Sequence, residues 1–149
     1  MNVSTIMNAS PVTISITETF GNALRLMEDR RVHALPVIDA NGVYKGTFDF
    51  ADVWKTLLPK AALLGMDSLT DLSFVSDAQE ILREKLASAG VRPVSEFLDR
   101  RVEPVHPDTP VKEAILLFYR LDEDIPVVER NTNRLVGVVT PWEILNALR

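Results

Sequence analysis

Apolar residues along the chain recur in two kinds of register, and the same succession of registers occurs twice. Phe20, Ala23, Leu24 and Met27 fall at i, i+3, i+4 and i+7, the spacing that lays one apolar stripe along a helix. Val111, Ala114, Ile115 and Phe118 repeat that spacing 91 residues later. Thr17-Glu18-Thr19 and Asp108-Thr109-Pro110 precede the two stripes. Their hydroxyl and carboxylate oxygens can accept from helix N–H groups that lack partners, and Pro suits a first turn. Two short β-rich runs follow each helix. In the first copy they are Leu35 to Ile38 and Val43 to Phe48, around Asn41-Gly42, a pair that tolerates the positive φ of a tight turn. In the second they are Ile125 to Glu129 and Leu135 to Val139, around Asn131 to Asn133. A closing helix is predicted over Phe50 to Leu58, ended by Pro59, and over Pro141 to Leu148.

Further positions obey the same shift. Val3-Ser4-Thr5-Ile6-Met7 returns as Val94-Ser95-Glu96-Phe97-Leu98, Pro36-Val37-Ile38 as Pro126-Val127-Val128, Gly46 as Gly137 and Leu57 as Leu148. The repeat defines two units, residues 3–58 and 94–149, joined by an insert, residues 59–93. Each unit reads as short strand, helix, strand, strand, helix. A unit of about 56 residues buries little surface by itself. The pair is therefore expected to pack sheet to sheet as one pseudo-two-fold α/β domain over residues 1–149. Within the insert, Ser76-Asp77-Ala78-Gln79 has the form of a capping box, and Ile81, Leu82, Leu86 and Ala89 form an apolar stripe. A helix is predicted over about 77–89, with Gly90 and Pro93 as stop signals.

Composition narrows the class. Of 149 residues, 46% are hydrophobic and 25% charged, an ordinary globular balance. Sixteen basic against 21 acidic residues leave a net charge of −5, a poor basis for nucleic-acid binding through phosphates. No cysteine is present, which removes disulfides, thiolate metal sites and a Cys nucleophile and suits a reducing compartment. The most apolar run, Ala61 to Met66, is far shorter than the roughly 20 residues of a spanning helix. No basic residue precedes an apolar stretch at the N-terminus, so no signal peptide is read and a cytoplasmic location is expected. His33 and His106 stand apart from any ligand cluster, so no metal site is expected. No nucleophile elbow, zinc-protease motif or phosphate-cradling Gly-rich loop occurs, which argues against an enzyme.

The residues Leu35-Pro36-Val37-Ile38-Asp39 followed by Gly46-Thr47-Phe48-Asp49-Phe50-Ala51-Asp52 resemble a CBS (cystathionine-β-synthase-like) motif. Pro126-Val127-Val128-Glu129 with Gly137-Val138-Val139-Thr140-Pro141-Trp142-Glu143 resembles it more closely. Two copies in one order imply a tandem CBS pair, or Bateman module. The resemblance implies a regulatory sensor with no obligatory cofactor, which takes AMP, ADP, ATP, S-adenosylmethionine or a related ligand between the motifs. It also implies a homodimer and, in many relatives, an associated enzyme or transporter. An interaction scaffold whose ligand sites have degenerated is the alternative.

The family signature, Gly-h-h-Thr/Ser-x-x-Asp/Asn, places a hydroxyl near phosphate at a helix N-terminus and an acid on the ribose. Such an N-terminus offers free N–H groups to an anion, and a carboxylate accepts well from a diol. In the first unit Asp52 matches the ribose acid, while Asp49 stands where Thr or Ser is expected and would repel a phosphate. In the second, Thr140 matches and Glu143 replaces Asp. Thr140-Pro141-Trp142-Glu143 is equally a capping box, and Asp49 is itself a good N-cap. The resemblance assigns an apolar adenine slot to Thr13, Ile14 and Leu35 in one unit and Pro104, Val105 and Ile125 in the other. Core packing is the competing role for the apolar members. Arg30-Arg31, Arg100-Arg101, Arg130 and Arg134 could each reach a phosphate or simply face solvent. Trp54 and Trp142, on the two closing helices, are candidates for an interface.

Overall fold

The computed structural model describes residues 1–58, 79–98 and 102–149. In the first unit, β1 (Ile14–Ser15), α1 (Phe20–Arg30), β2 (Ala34–Ile38), β3 (Tyr44–Asp49) and α2 (Phe50–Leu57) follow in order. α3 (Gln79–Gly90) lies in the insert. α4 (Val111–Leu121), β4 (Ile125–Val128), β5 (Leu135–Val139) and α5 (Pro141–Leu148) complete the second unit. The predicted start of α3 and its capping box at 76–78 fall outside the described residues, as do Arg100 and Arg101.

β1 runs parallel to β2, and β2 pairs antiparallel with β3. The second sheet repeats this with β4 antiparallel to β5, but its first strand is reduced to a parallel bridge between Val105 and Val127. A proline explains the reduction. In the first unit Ile16 N–H donates to the Ile38 carbonyl at 2.9 Å. Pro107 occupies the position of Ile16 and has no N–H. His106 Nδ1 instead lies 3.1 Å from the Val128 carbonyl, the counterpart of Ile38. The ring thus stands in for the missing backbone donor.

Both hairpins change register at the same place, between Val37 and Ile38 and between Val127 and Val128. Gly42 takes φ +79° in the first turn, and Asp39 Oδ1 accepts from Asn41 N at 2.8 Å and Val43 N at 3.0 Å. Asn133 takes φ +57° in the second. The two turns also pair with each other: Tyr44 N donates to Asn133 O at 3.0 Å and Leu135 N to Gly42 O at 2.9 Å.

The opening segment of each repeat packs into the other unit. Val3 N donates to Thr109 O at 2.8 Å, and Val94 N donates to Glu18 O at 2.8 Å. Val3 is buried with Val105, Ala114, Ile125, Val127, Val139 and Ile144. Val94 is buried with Ile14, Phe20, Met27, Leu35, Val37 and Phe48. The sequence repeat and the packed unit therefore do not coincide, because the two arms are exchanged about the pseudo-two-fold axis. Gly137 serves this exchange. Asn8 pairs with Val138 on β5, and a Cβ on Gly137 would lie 2.6 Å from Met7 Sδ and 2.9 Å from the Asn8 carbonyl oxygen.

Two expectations from the pattern need correction. Thr109 does not cap α4; it is buried, and its Oγ1 accepts from His106 N at 3.0 Å, while extended Pro110 stands at the N-cap. Ile115 belongs to no buried stripe: with Leu116 and Tyr119 it faces outward.

Candidate ligand site between the repeats

β3 and β5 each run straight into a closing helix, so the N-cap is the last residue of β3, Asp49, and the residue directly after β5, Thr140. Asp49 caps α2, accepting from Asp52 N at 3.3 Å, while Asp52 Oδ2 accepts from Asp49 N at 2.9 Å. Both carboxylates are buried. Thr140 caps α5: its Oγ1 accepts from Trp142 N at 3.2 Å and donates to Glu143 Oε2, which also accepts from Thr140 N at 2.7 Å. The two signatures thus form reciprocal capping boxes that satisfy the first helix N–H groups from within.

A cavity of about 110 Å³ lies between the units. Ala34, Pro36 and Thr47 form one wall and Asp124, Pro126 and Thr140 the other, with Asn8 and Val12 at the side. Asp124 carries its only charge among the described residues. Burial pushes the Asp124 carboxyl above the usual carboxylate range, and neighbouring Glu143 adds to the rise; His33 opposes it, and Asp122 adds again.

Of the residues assigned from the sequence, Thr140 reaches this cavity. Leu35 and Ile125 are 0% exposed in the two cores, and Ile14 and Val105 are buried there as well. The cavity is faced instead by their neighbours Ala34, Pro36, Asp124 and Pro126. A strand sends successive side chains to opposite faces, so a shift of one residue separates core from cleft. Thr13 lies on a groove with Ser15, Glu18 and Arg25, and Pro104 on one with Tyr44, Lys45 and Glu103. Asp52 borders a concavity beside α2 and α3, with Lys55 and Lys85. Asp124, not singled out from the sequence, lines the cavity from its place immediately before β4, beside the buried Ile125.

The cations are placed elsewhere. Arg130 makes a two-pronged pair with Asp108, its Nη2 2.8 Å from Oδ1. Arg134 leans against Gly42. Arg30 and Arg31 are exposed. His33 tilts against the Phe50 ring, 5.8 Å between centroids.

A family model for the CBS domain matches residues 3–53 and 94–149. The chain belongs to the CBS domain family. It carries two copies, a CBS pair. A CBS domain-containing protein of Dictyostelium discoideum is 27% identical over 147 residues, 98% of this chain and 90% of that protein. The glycine betaine/carnitine/choline transport ATP-binding protein OpuCA of Bacillus subtilis is 43% identical over 47 residues, 32% of this chain, and the match spans 12% of OpuCA. Among solved structures, CBSX2 from Arabidopsis thaliana in complex with AMP superposes with a TM-score of 0.71 at 18% identity, covering 99% of this chain and 95% of that one. The CBS pair of protein MJ0100 in complex with 5′-methylthioadenosine and S-adenosylmethionine gives 0.67 at 21% identity, covering 99% and 95%. At these identities the likeness establishes the fold.

Proposed function

We propose that this CBS pair is a regulatory module, not an enzyme. It holds an adenosine-containing ligand (AMP, ADP, ATP or S-adenosylmethionine) between its motifs and relays occupancy through their relative arrangement or that of a dimer. The observation that carries this reading is the cavity whose walls come from both units, since a ligand there contacts each and favours one arrangement over others. Its volume is below the roughly 300 Å³ at which drug-sized sites begin, so it would seat a base and leave the ribose outside. The AMP bound to CBSX2 and the adenosyl ligands bound to MJ0100 support the ligand class. The two motifs, residues 3–58 and 94–149, act in this reading as one domain.

Trp54 and Trp142 are 53% and 68% exposed, and Ile115, Leu116, Tyr119, Leu145 and Leu148 extend the apolar surface of α4 and α5. Faces of this kind support homodimer formation through the helices. An enzyme or transporter is the partner class we assign, in a cytoplasmic setting that the absence of cysteine suits. No helix among the described residues is long and apolar enough to cross a membrane.

The scaffold reading has one observation in its favour: the polar signature residues Asp49, Asp52, Thr140 and Glu143 are all engaged in capping. A thermal-shift panel of AMP, ADP, ATP, S-adenosylmethionine and adenosine separates the two. A ligand at 100 times its Kd adds about 2.7 kcal/mol, a rise of several degrees. The sensor reading expects such a rise for at least one compound and its loss in Ala34→Leu, which fills the cavity. A flat panel on folded protein supports the scaffold.

A further inference from the structure

We infer that the cleft discriminates by ligand charge: it prefers a nucleoside bearing a cationic substituent to its neutral analogue and disfavours nucleoside phosphates, with Asp124 as the residue that sets the preference. The inference rests on the proposed binding of an adenosyl ligand in this cavity and specifies the chemistry of that ligand. Two independent features carry it.

The first concerns donors. A phosphate at the start of α5 would need the Thr140 hydroxyl and the first free N–H groups of the helix. The hydroxyl proton and the Thr140 N–H both go to Glu143, and Trp142 N–H goes to Thr140 Oγ1. The anion that this N-terminus accommodates is thus already in place as a side chain. An incoming phosphate would have to displace a carboxylate tied to the same turn.

The second concerns the wall. Asp124 is partly buried on the cavity, and no hydrogen-bond donor among the described residues reaches its carboxylate. The charged and titratable groups around it are Glu143 and Asp122, both acidic, and His33. No Lys or Arg among the described residues lines the cavity. A dianionic phosphate would meet two carboxylates without a counter-cation, whereas a sulfonium or ammonium would supply the partner that Asp124 lacks. A unit charge at 4 Å is worth about fivefold in affinity even in a water-like dielectric, and more in a drier site.

The test is calorimetric titration of the full chain at pH 8 with two matched pairs. S-adenosylmethionine and S-adenosylhomocysteine differ by a methyl group and the sulfonium charge; adenosine and AMP differ by the phosphate. The expected result is at least about fivefold tighter binding for the sulfonium over the thioether and for adenosine over AMP. Asp124→Asn, which preserves size, is expected to bring the sulfonium-over-thioether ratio toward one and to lower the adenosine-over-AMP ratio only in part, the remainder belonging to Glu143 at the start of α5. Equal or reversed ratios in the unaltered protein, or a sulfonium-over-thioether ratio that survives Asp124→Asn in a variant shown folded by circular dichroism, would overturn the inference and leave adenosyl binding standing. If none of the four compounds binds, the charge preference fails; if ADP and ATP do not bind either, the functional reading fails with it.

Discussion

The first unit fills its core with Phe20, Met27, Leu35 and Phe48, Phe20 meeting Phe48 edge-on with 5.2 Å between ring centroids. The second unit places Val111 where the first has Phe20, and Ile125 and Val139 where it has Leu35 and Phe48. The hairpins nevertheless keep the same register shift, and the arms the same exchange. Backbone pattern and turn chemistry therefore set the fold, while core volume varies between copies. The outer faces differ as well. α3 crosses α1 so closely that a Cβ on Gly21 would lie 3.0 Å from the Gly90 carbonyl oxygen. Lys112 occupies the equivalent position on α4 and is exposed, beside the apolar Ile115, Leu116 and Tyr119. One unit has its first helix covered, and the other presents it.

The sharpest way to break the symmetry is through the cores. Phe20→Ala is expected to cost about 3–5 kcal/mol in denaturant unfolding, whereas Val111→Ala, which removes two methylene equivalents, costs about 1–2 kcal/mol. Equal losses would show that the two cores do not differ in kind. The outer faces offer the next effect. Gly21→Leu forces α3 away from α1, an overpacking of about 1–3 kcal/mol, while Lys112→Leu stays within about 0.5 kcal/mol. Smaller again is the cap: Thr140→Ala removes the hydroxyl that accepts from Trp142 N and should cost about 1 kcal/mol. A comparable effect, specific to the second unit, is expected for His106→Leu, which removes the ring partner of the Val128 carbonyl and costs about 0.5–1.5 kcal/mol.

The smallest predicted effect depends on pH. The Asp124 carboxyl is raised in the folded protein, first by burial and then by Glu143. Between its unfolded and folded pKa the native state binds more protons than the unfolded state, so stability falls as pH rises through that window. Asp124→Asn is therefore expected to stabilise the protein at neutral pH, with the gain shrinking as the pH drops toward the unfolded value. Chemical denaturation of both proteins at pH 4 and pH 7 measures it. A gain that grows on acidification would contradict the placement of this carboxyl.

Much of this arrangement was legible in the sequence. Strands, helices and turns follow from periodicity and Asn-Gly chemistry because these are local, and each appears twice at a nearly constant shift. The arm exchange was not legible, because Val3 and Val94 belong to the same repeated pattern and would satisfy either core equally. The faces of β2 and β4 were not legible either. Leu35-Pro36-Val37 and Ile125-Pro126-Val127 are buried on both sides, so no polar alternation marks which residues turn toward the cleft. That is why Leu35 and Ile125, expected at a slot, lie in the cores, while Ala34, Pro36, Asp124 and Pro126 face the cavity. Thr109 misled for another reason: a hydroxyl before a helix usually caps it, but Pro107 removed a ladder donor and the loop rearranged around His106.

The central claim is that one ligand touches both units at once, and an amide NMR titration of the full chain with S-adenosylmethionine tests it most directly. The account predicts that saturable shifts appear together at Val12, Ala34, Thr47, Asp124 and Thr140, which line the cavity from both repeats. Shifts confined to one repeat, or gathered on the exposed faces of α4 and α5, would contradict it.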